Sequence, residues 1–186
     1  TGMLNPIDEA LVRAGEPLRP SLPPKVDEIP YDFVRKRMTV VVADADRGEH
    51  VLICKGAVEP VLSTCARVRQ GGAEAPLSSA LLADLQARYL TWSRDGIRVL
   101  ALATRRVAGN PDAHSYRVDE ERGLTLEGFL LFVDPPKAGV AGVVRSLHGL
   151  GVGIKIVTGD HHAVAIHVAR EVGLPAELVV TGREIQ

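Results

Sequence analysis

Apolar and polar positions divide the chain into two stretches with different rhythms. At the start, Ile7, Ala10, Leu11 and Ala14 recur on one helical face. Asn5 suits the cap before that helix, Pro6 its first position and Gly15 its stop. Prolines 17, 20, 23 and 24 predict an extended connector over 16–24. Two β-branched runs, Met38 to Ala43 and Val51 to Cys54, flank Asp44-Ala-Asp-Arg-Gly-Glu and predict a hairpin. Helical spacing runs from Val58 to Thr64, and Gly71-Gly72 marks a turn. Ser78 or Ser79 then opens a long helix with Leu81, Leu82, Leu85, Tyr89 and Trp92 as its apolar stripe and Gly96 at its end. Ile97 to Thr104 and Leu124 to Val133 read as strands on either side of a polar loop over 107–122.

Beyond Asp134-Pro135-Pro136 the rhythm changes. A helix (Val140 to Leu150), a strand (Gly153 to Val157), a helix (Ala163 to Val172) and a strand (Leu178 to Val180) alternate, the grammar of a parallel βαβ sheet. The expected fold is therefore an α+β domain over 1–127, an antiparallel sheet flanked by helices, followed over 128–186 by part of a parallel α/β domain. The joint falls near 128–137.

Composition narrows the function classes. The 186 residues carry 22 basic and 23 acidic side chains, a formal charge of −1 that gives no reason to expect nucleic-acid binding. The longest apolar candidate, Phe129 to Val133, falls far short of the roughly 18 residues of a membrane span. The opening residues have neither a basic nor an apolar leader region, so no signal peptide is expected. Cys54 and Cys65 form no CxxC pair and read as reduced thiols of a cytosolic compartment.

Four short segments can carry chemistry, and each also has a purely structural reading. Thr158-Gly159-Asp160 falls where a strand is expected to end and a helix to begin. A hydroxyl, a glycine and free helix N–H groups there suit a phosphate, or Thr158 and Asp160 cap the helix. Asp134-Pro135-Pro136-Lys137 is a kink between domains, or it brings Asp134 to a nucleotide or its magnesium. In Lys55-Gly56-Ala57 the lysine is solvated, or it reaches a phosphate or purine. The run from Ile29 to Val40 sets Tyr31 and Phe33 beside Arg35, Lys36 and Arg37, which is either a core aromatic with a basic strand entrance or a base-and-phosphate site. Asp44 and Asp46 read as solvated turn residues, and His50, His114, His161 and His162 as surface histidines.

Taken in order, Asn5-Pro-Ile-Asp8-Glu-Ala-Leu11, Tyr31 to Met38, Lys55-Gly56-Ala57, Asp95-Gly-Ile-Arg98-Val-Leu-Ala-Leu-Ala103, Asp134-Pro-Pro-Lys137 and Thr158-Gly159-Asp160 resemble the P-type ATPase family over nearly the whole chain. The wording of Val26 to Val42 and of Cys54 to Glu59 is most similar to the bacterial magnesium-importing branch.

The resemblance implies an ATP-binding domain and the beginning of a haloacid-dehalogenase-like phosphorylation domain, at the cytoplasmic face of the cell membrane. It implies that Tyr31, seven residues before Met38, stacks on adenine, with Phe33 as the alternative stacker. Lys36 matches a basic position near the nucleotide, Lys55 matches the lysine deep in the adenine pocket with Gly56 beside it, and Arg98 matches a phosphate-binding arginine. Asp8 stands where the family usually has a glutamate, with Glu9 as a substitute. Asp134 matches a hinge aspartate, and Thr158, Gly159 and Asp160 match the motif that contacts the transferred phosphoryl group.

The implied cofactors are ATP and its Mg2+. The implied partners are the rest of the phosphorylation domain, the actuator domain and the membrane domain of one pump. Asp-Lys-Thr-Gly-Thr, which carries the family's phosphorylated aspartate, is not in the sequence, so binding without turnover is expected. The strand ending at Val157 then lacks a neighbour, and residues 135–186 are expected to be less ordered or to self-associate through an apolar edge. Two other readings stand beside this one: a haloacid-dehalogenase-type phosphatase, and a non-catalytic nucleotide-sensing module.

Overall fold

A computed structural model of the chain describes residues 6–18, 22–108, 115–176, 179–181 and 184. Asn5, the expected cap of the first helix, and His114 lie outside them. The described residues form seven strands and five α-helices: α1 (Pro6–Gly15), β1 (Lys25–Asp32), β2 (Arg37–Asp44), β3 (Glu49–Ala57), α2 (Val58–Leu62), β4 (Cys65–Gln70), β5 (Ala73–Pro76), α3 (Ser79–Arg94), β6 (Arg98–Ala108), β7 (Leu124–Phe132), α4 (Val140–Gly149) and α5 (His162–Glu171). The chain divides into two compact units, Thr1–Pro76 with Ala101–Gly128, and Leu77–Leu100 with Phe129–Gln186.

The strands form one sheet in the order β1-β2-β3-β6-β7-β4-β5. Pairs β1/β2, β2/β3 and β4/β5 are antiparallel, whereas β4 and β7 run parallel, with Cys65 opposite Leu124 and Val68 opposite Leu126. The sheet is therefore mixed rather than antiparallel. The crossover through β5, α3 and β6 is long enough to bring the chain back in the same direction.

The hairpin at Asp44 forms as expected, with Ala43 opposite His50 and Asp44 opposite Glu49. Along β2 and β3 alternate residues turn inward, and Thr39, Val41, Leu52 and Cys54 are fully buried. Val58, Val61 and Leu62 of α2 and Leu124 and Leu126 of β7 complete this core.

β1 is not evident from the sequence because its charges and Pro30 break the apolar alternation. As an edge strand it needs ladder bonds on one side only, and its register shifts between Ile29 and Asp32, so the proline is tolerated. β4 and β5 were hidden in the same way by charged residues around Gly71-Gly72. Glu16–Leu18 forms a 3-10 turn where an extended connector was expected.

In the second unit, Ser78 caps α3 by accepting the Leu81 N–H at 3.3 Å. Leu81, Leu82, Leu85, Tyr89 and Trp92 are each half-buried while most of the helix is exposed. Trp92 meets Phe129 edge-on at 5.6 Å. Gly96 ends the helix with φ +77°, and a Cβ there would lie 2.3 Å from the His167 ring of α5, so only glycine fits the junction.

Two strands expected in this unit are not formed. Residues 152–158 and 179–180 follow no ladder, and residue 178 lies outside the description. Val157 is 97% exposed, Ile156 43% and Val152 45%. A strand is fixed by cross-strand partners and not by its own propensity, and no described strand pairs with this one.

Candidate functional site

Register fixes the first cluster. Asp32 lies opposite Arg37, Arg37 opposite Gly56, and Met38 opposite Lys55. Tyr31 at the end of β1, Lys36 just before β2, and Lys55 and Gly56 at the end of β3 therefore share one end of the sheet. Asp32 builds the connection between β1 and β2. Its Oδ1 accepts the backbone N–H groups of Val34 at 2.8 Å and Arg35 at 2.6 Å, and its carbonyl accepts that of Lys36 at 2.6 Å. The first of these causes, the Arg35 N–H bond, holds its carboxyl below the usual aspartate range.

Lys36 takes φ +51°, the one non-glycine residue of the described chain in the left-handed region, and its carbonyl accepts the Ala57 N–H at 2.9 Å. Gly56 sits under this turn. A Cβ there would come within 2.5 Å of both the Arg37 Cβ and the Lys36 carbonyl oxygen, so the approach of β3 to the turn needs a bare backbone.

Asp8 of α1 reaches the same place, its Oδ1 2.7 Å from Lys55 Nζ. Tyr31 is 51% exposed and Phe33 86% exposed, their rings perpendicular with centroids 5.4 Å apart. Exposed aromatics of this size are costly in water unless something covers them. Asp8, Tyr31, Lys36, Lys55 and Gly56 thus come together in the first unit.

The three consecutive cations are not equivalent. Glu121, fully buried as a side chain, accepts Arg35 Nη1 at 2.6 Å and Arg37 Nε at 2.8 Å on Oε2, and Thr39 Oγ1 at 2.7 Å on Oε1. Arg35 goes on to the Pro30 carbonyl at 2.7 Å and Arg37 to the Pro60 carbonyl at 3.3 Å. Lys36 is exposed and, among the described residues, pairs with no carboxylate. Glu121 was missed in the sequence because it stands in the polar 107–122 loop. The available signal was that adjacent arginines at a strand entrance need a counter-charge if they are buried.

The other expected residues belong to the second unit. Arg98 opens β6, and its Nη2 lies 2.5 and 2.6 Å from the two carboxylate oxygens of Asp160. Thr158 Oγ1 accepts the Asp160 N–H at 3.1 Å, a local hydroxyl turn. The cap of α5 is His161, whose Nδ1 accepts the Ala163 N–H at 3.3 Å and whose ring meets Tyr89 at 5.2 Å. His161 is therefore part of the packing and not a surface residue. His50 departs from the surface reading too, since its Nδ1 lies 2.7 Å from the Tyr116 hydroxyl. Gly159 and Asp134 are exposed, and nothing lies within 4 Å of a Cβ placed at Gly159. A concavity of about 580 Å³ in this unit is lined by Val144, His148, Val152 and Arg170 among others, and by none of the expected residues.

Burial pushes both thiols up, Cys65 to about 12, which leaves neither as a thiolate nucleophile near neutrality. Among the described residues no three His, Cys, Asp or Glu side chains gather to hold a metal, and no helix is long and apolar enough to cross a membrane.

A family model described as the cytoplasmic domain N of P-type ATPases matches residues 5–139. A magnesium-transporting ATPase, P-type 1, of Salmonella typhimurium strain LT2 is 36% identical over 190 residues, covering all of this chain and 21% of that protein. Its namesake in Escherichia coli K12 is 41% identical over 162 residues, covering 87% of this chain and 18% of that protein. A probable cation-transporting ATPase F of Mycobacterium bovis is 37% identical over 169 residues, with the same two shares of 87% and 18%. The chain spans about a fifth of the length of these relatives.

Proposed function

We propose, since this chain belongs to the P-type ATPase family and carries its cytoplasmic domain N, that it binds ATP and presents it to an aspartate elsewhere in a magnesium-transporting pump. The observation that carries this is the convergence of an exposed aromatic, two lysines and a glycine forced bare by close packing at one end of β1, β2 and β3. The Tyr31 ring takes the adenine, an interaction worth roughly 1–3 kcal/mol by comparison with base stacking. Lys36 and Lys55 meet the nucleotide's negative charge, and Asp8 holds the Lys55 ammonium in place.

Mg2+ enters with the nucleotide, since its hard, strongly hydrated ion is best held through phosphate oxygens. In the second unit, Arg98 binds phosphate, with Asp160 as its partner between visits. Thr158 and Gly159 offer a hydroxyl and an unobstructed backbone to the transferred phosphoryl group, and Asp134 belongs to the hinge. By this reading residues 1–127 are the nucleotide-binding domain, and 128–186 open a haloacid-dehalogenase-like domain whose parallel strands form when its remaining strands are present. The partners are the other phosphorylation, actuator and membrane domains of the same pump, and the site faces the cytoplasm. That two of the three relatives above are named magnesium-transporting ATPases supports this ion over others.

Titration with ATP and AMP followed by NMR shifts tests the proposal. Both nucleotides saturate the chain, and Tyr31→Ala and Lys55→Ala each weaken binding about tenfold. Shifts indifferent to both substitutions would move the site elsewhere.

A further inference from the structure

We infer that Glu121 is the positioning residue of the nucleotide site: its buried carboxylate, gripping Arg35, Arg37 and Thr39 from beneath, holds the 32–37 turn in the shape that sets Tyr31 and Lys36 beside Lys55. The inference rests on the nucleotide reading above.

A carboxylate with no exposed side-chain surface is stable only when its charge is met and its lone pairs are filled. Here both conditions are met by the segment that carries the site. Arg35 links Glu121 to the Pro30 carbonyl, immediately before Tyr31, and so ties the end of β1 to the clamp. Arg37, the first residue of β2, links it to the Pro60 carbonyl of α2. Thr39, fully buried, fills the second carboxylate oxygen. Lys36 lies between the two gripped arginines and bears the turn's left-handed φ of +51°, a conformation that persists in a non-glycine residue only when its surroundings impose it.

The grip has a second effect. It removes two of the three adjacent cations from the surface and leaves Lys36 exposed, so the turn offers one defined charge to an anion instead of a diffuse basic patch. Glu121 touches no ligand in this scheme and acts through the turn.

The test compares Glu121→Gln, which keeps the shape and drops the charge, with Arg35→Gln, which cuts the bridge from Glu121 to Pro30 and leaves the Arg37 and Thr39 bonds in place. Glu121→Asp serves as the conservative variant. Amide exchange reads the turn at Lys36 N–H and Ala57 N–H, both bonded across it. In both glutamine variants these amides exchange faster and ATP affinity falls about tenfold, while Glu121→Asp retains more affinity than Glu121→Gln. In a Lys36→Ala background Glu121→Gln costs less affinity than in the wild-type chain, because only its effect through Tyr31 is left, a non-additivity that a merely structural role would not produce. If Glu121→Gln does not fold, Arg35→Gln in the same two backgrounds gives the same reading.

Wild-type ATP affinity in the glutamine variants, or losses that simply add to that of Lys36→Ala, would overturn the inference and leave the site reading standing. Failure of the unsubstituted chain to bind ATP, with the two amides still released by Glu121→Gln, would overturn the site reading instead and reduce Glu121 to a clamp of the fold.

Discussion

The end of β1, β2 and β3 and the stretch around residues 152–160 carry comparable strand-forming sequence, and only the first is in strands. Both contain β-branched residues, glycine and a candidate phosphate-binding side chain. At the first, register, a bare Gly56, the Asp32 turn and the Glu121 grip leave the backbone one arrangement. At the second, Val157 is 97% exposed and no ladder forms. The difference lies in partners and not in propensity: a strand is a property of the pair.

The comparison is most easily broken by cutting into both regions with the same substitution. Leu52→Ala, at a fully buried position of β3, is expected to cost about 2–5 kcal/mol in urea unfolding, from lost burial and the cavity left behind. Val157→Ala is expected to change stability by less than about 0.5 kcal/mol. Comparable losses at the two sites would mean that Val157 is packed in solution and that the contrast is not real.

A glycine pair sharpens the contrast at the candidate sites themselves. Gly56→Ala must displace the Arg37 Cβ and the Lys36 carbonyl, each 2.5 Å from the new carbon. Overpacking of this kind costs about 1–3 kcal/mol, and here it also moves the turn that bears Lys36, so ATP binding weakens with stability. Gly159→Ala meets nothing within 4 Å and is expected to leave stability within about 0.5 kcal/mol of the starting chain. Equal melting temperatures for the two variants would show that β3 can give way at residue 56.

How much was legible follows the same line. The hairpin at Asp44, the stripe of α3 and the stop at Gly96 rest on neighbours in sequence, and local pattern reports them well. β1 was hidden because an edge strand can afford Pro30 and four charges, and 153–157 was read as a strand because its pattern is that of one. At the site, the sequence named Tyr31, Lys36, Lys55 and Gly56, which the register brings together, and Asp8, which joins them through Lys55. It did not separate Lys36 from Arg35 and Arg37, because that distinction is made by Glu121, more than eighty residues away.

Acid should weaken the first unit through Glu127. Burial opposes its ionisation, but hydrogen bonds from Arg69 at 2.6 Å and Thr104 at 2.5 Å outweigh it and lower its pKa from 4.5. A folded-state pKa below the unfolded one contributes stability that is complete above the ordinary glutamate range and is lost as pH falls through the lowered value. Urea midpoints should therefore drop in acid more for the wild-type chain than for Glu127→Gln. The reverse order would mean that burial dominates and that Glu127 is protonated early.

The smallest expected effect on folding tests what the exposed stretch does when no strand completes it. Ile156 and Val157 have no strand partner among the described residues, and an apolar, β-prone segment with open N–H and C=O groups is a template for a second copy. Self-association through this edge predicts a concentration-dependent sedimentation coefficient. Val157→Lys should abolish that dependence, because a lysine on an edge strand would have to be desolvated in the paired form. The urea midpoint should barely move, since position 157 contributes almost nothing to the folded monomer. The exposed Tyr31 and Phe33 offer the alternative contact. If the dependence survives Val157→Lys and disappears in Tyr31→Ala, the molecules meet through the candidate nucleotide site, and the open edge at 157 is not the sticky surface that its sequence predicts.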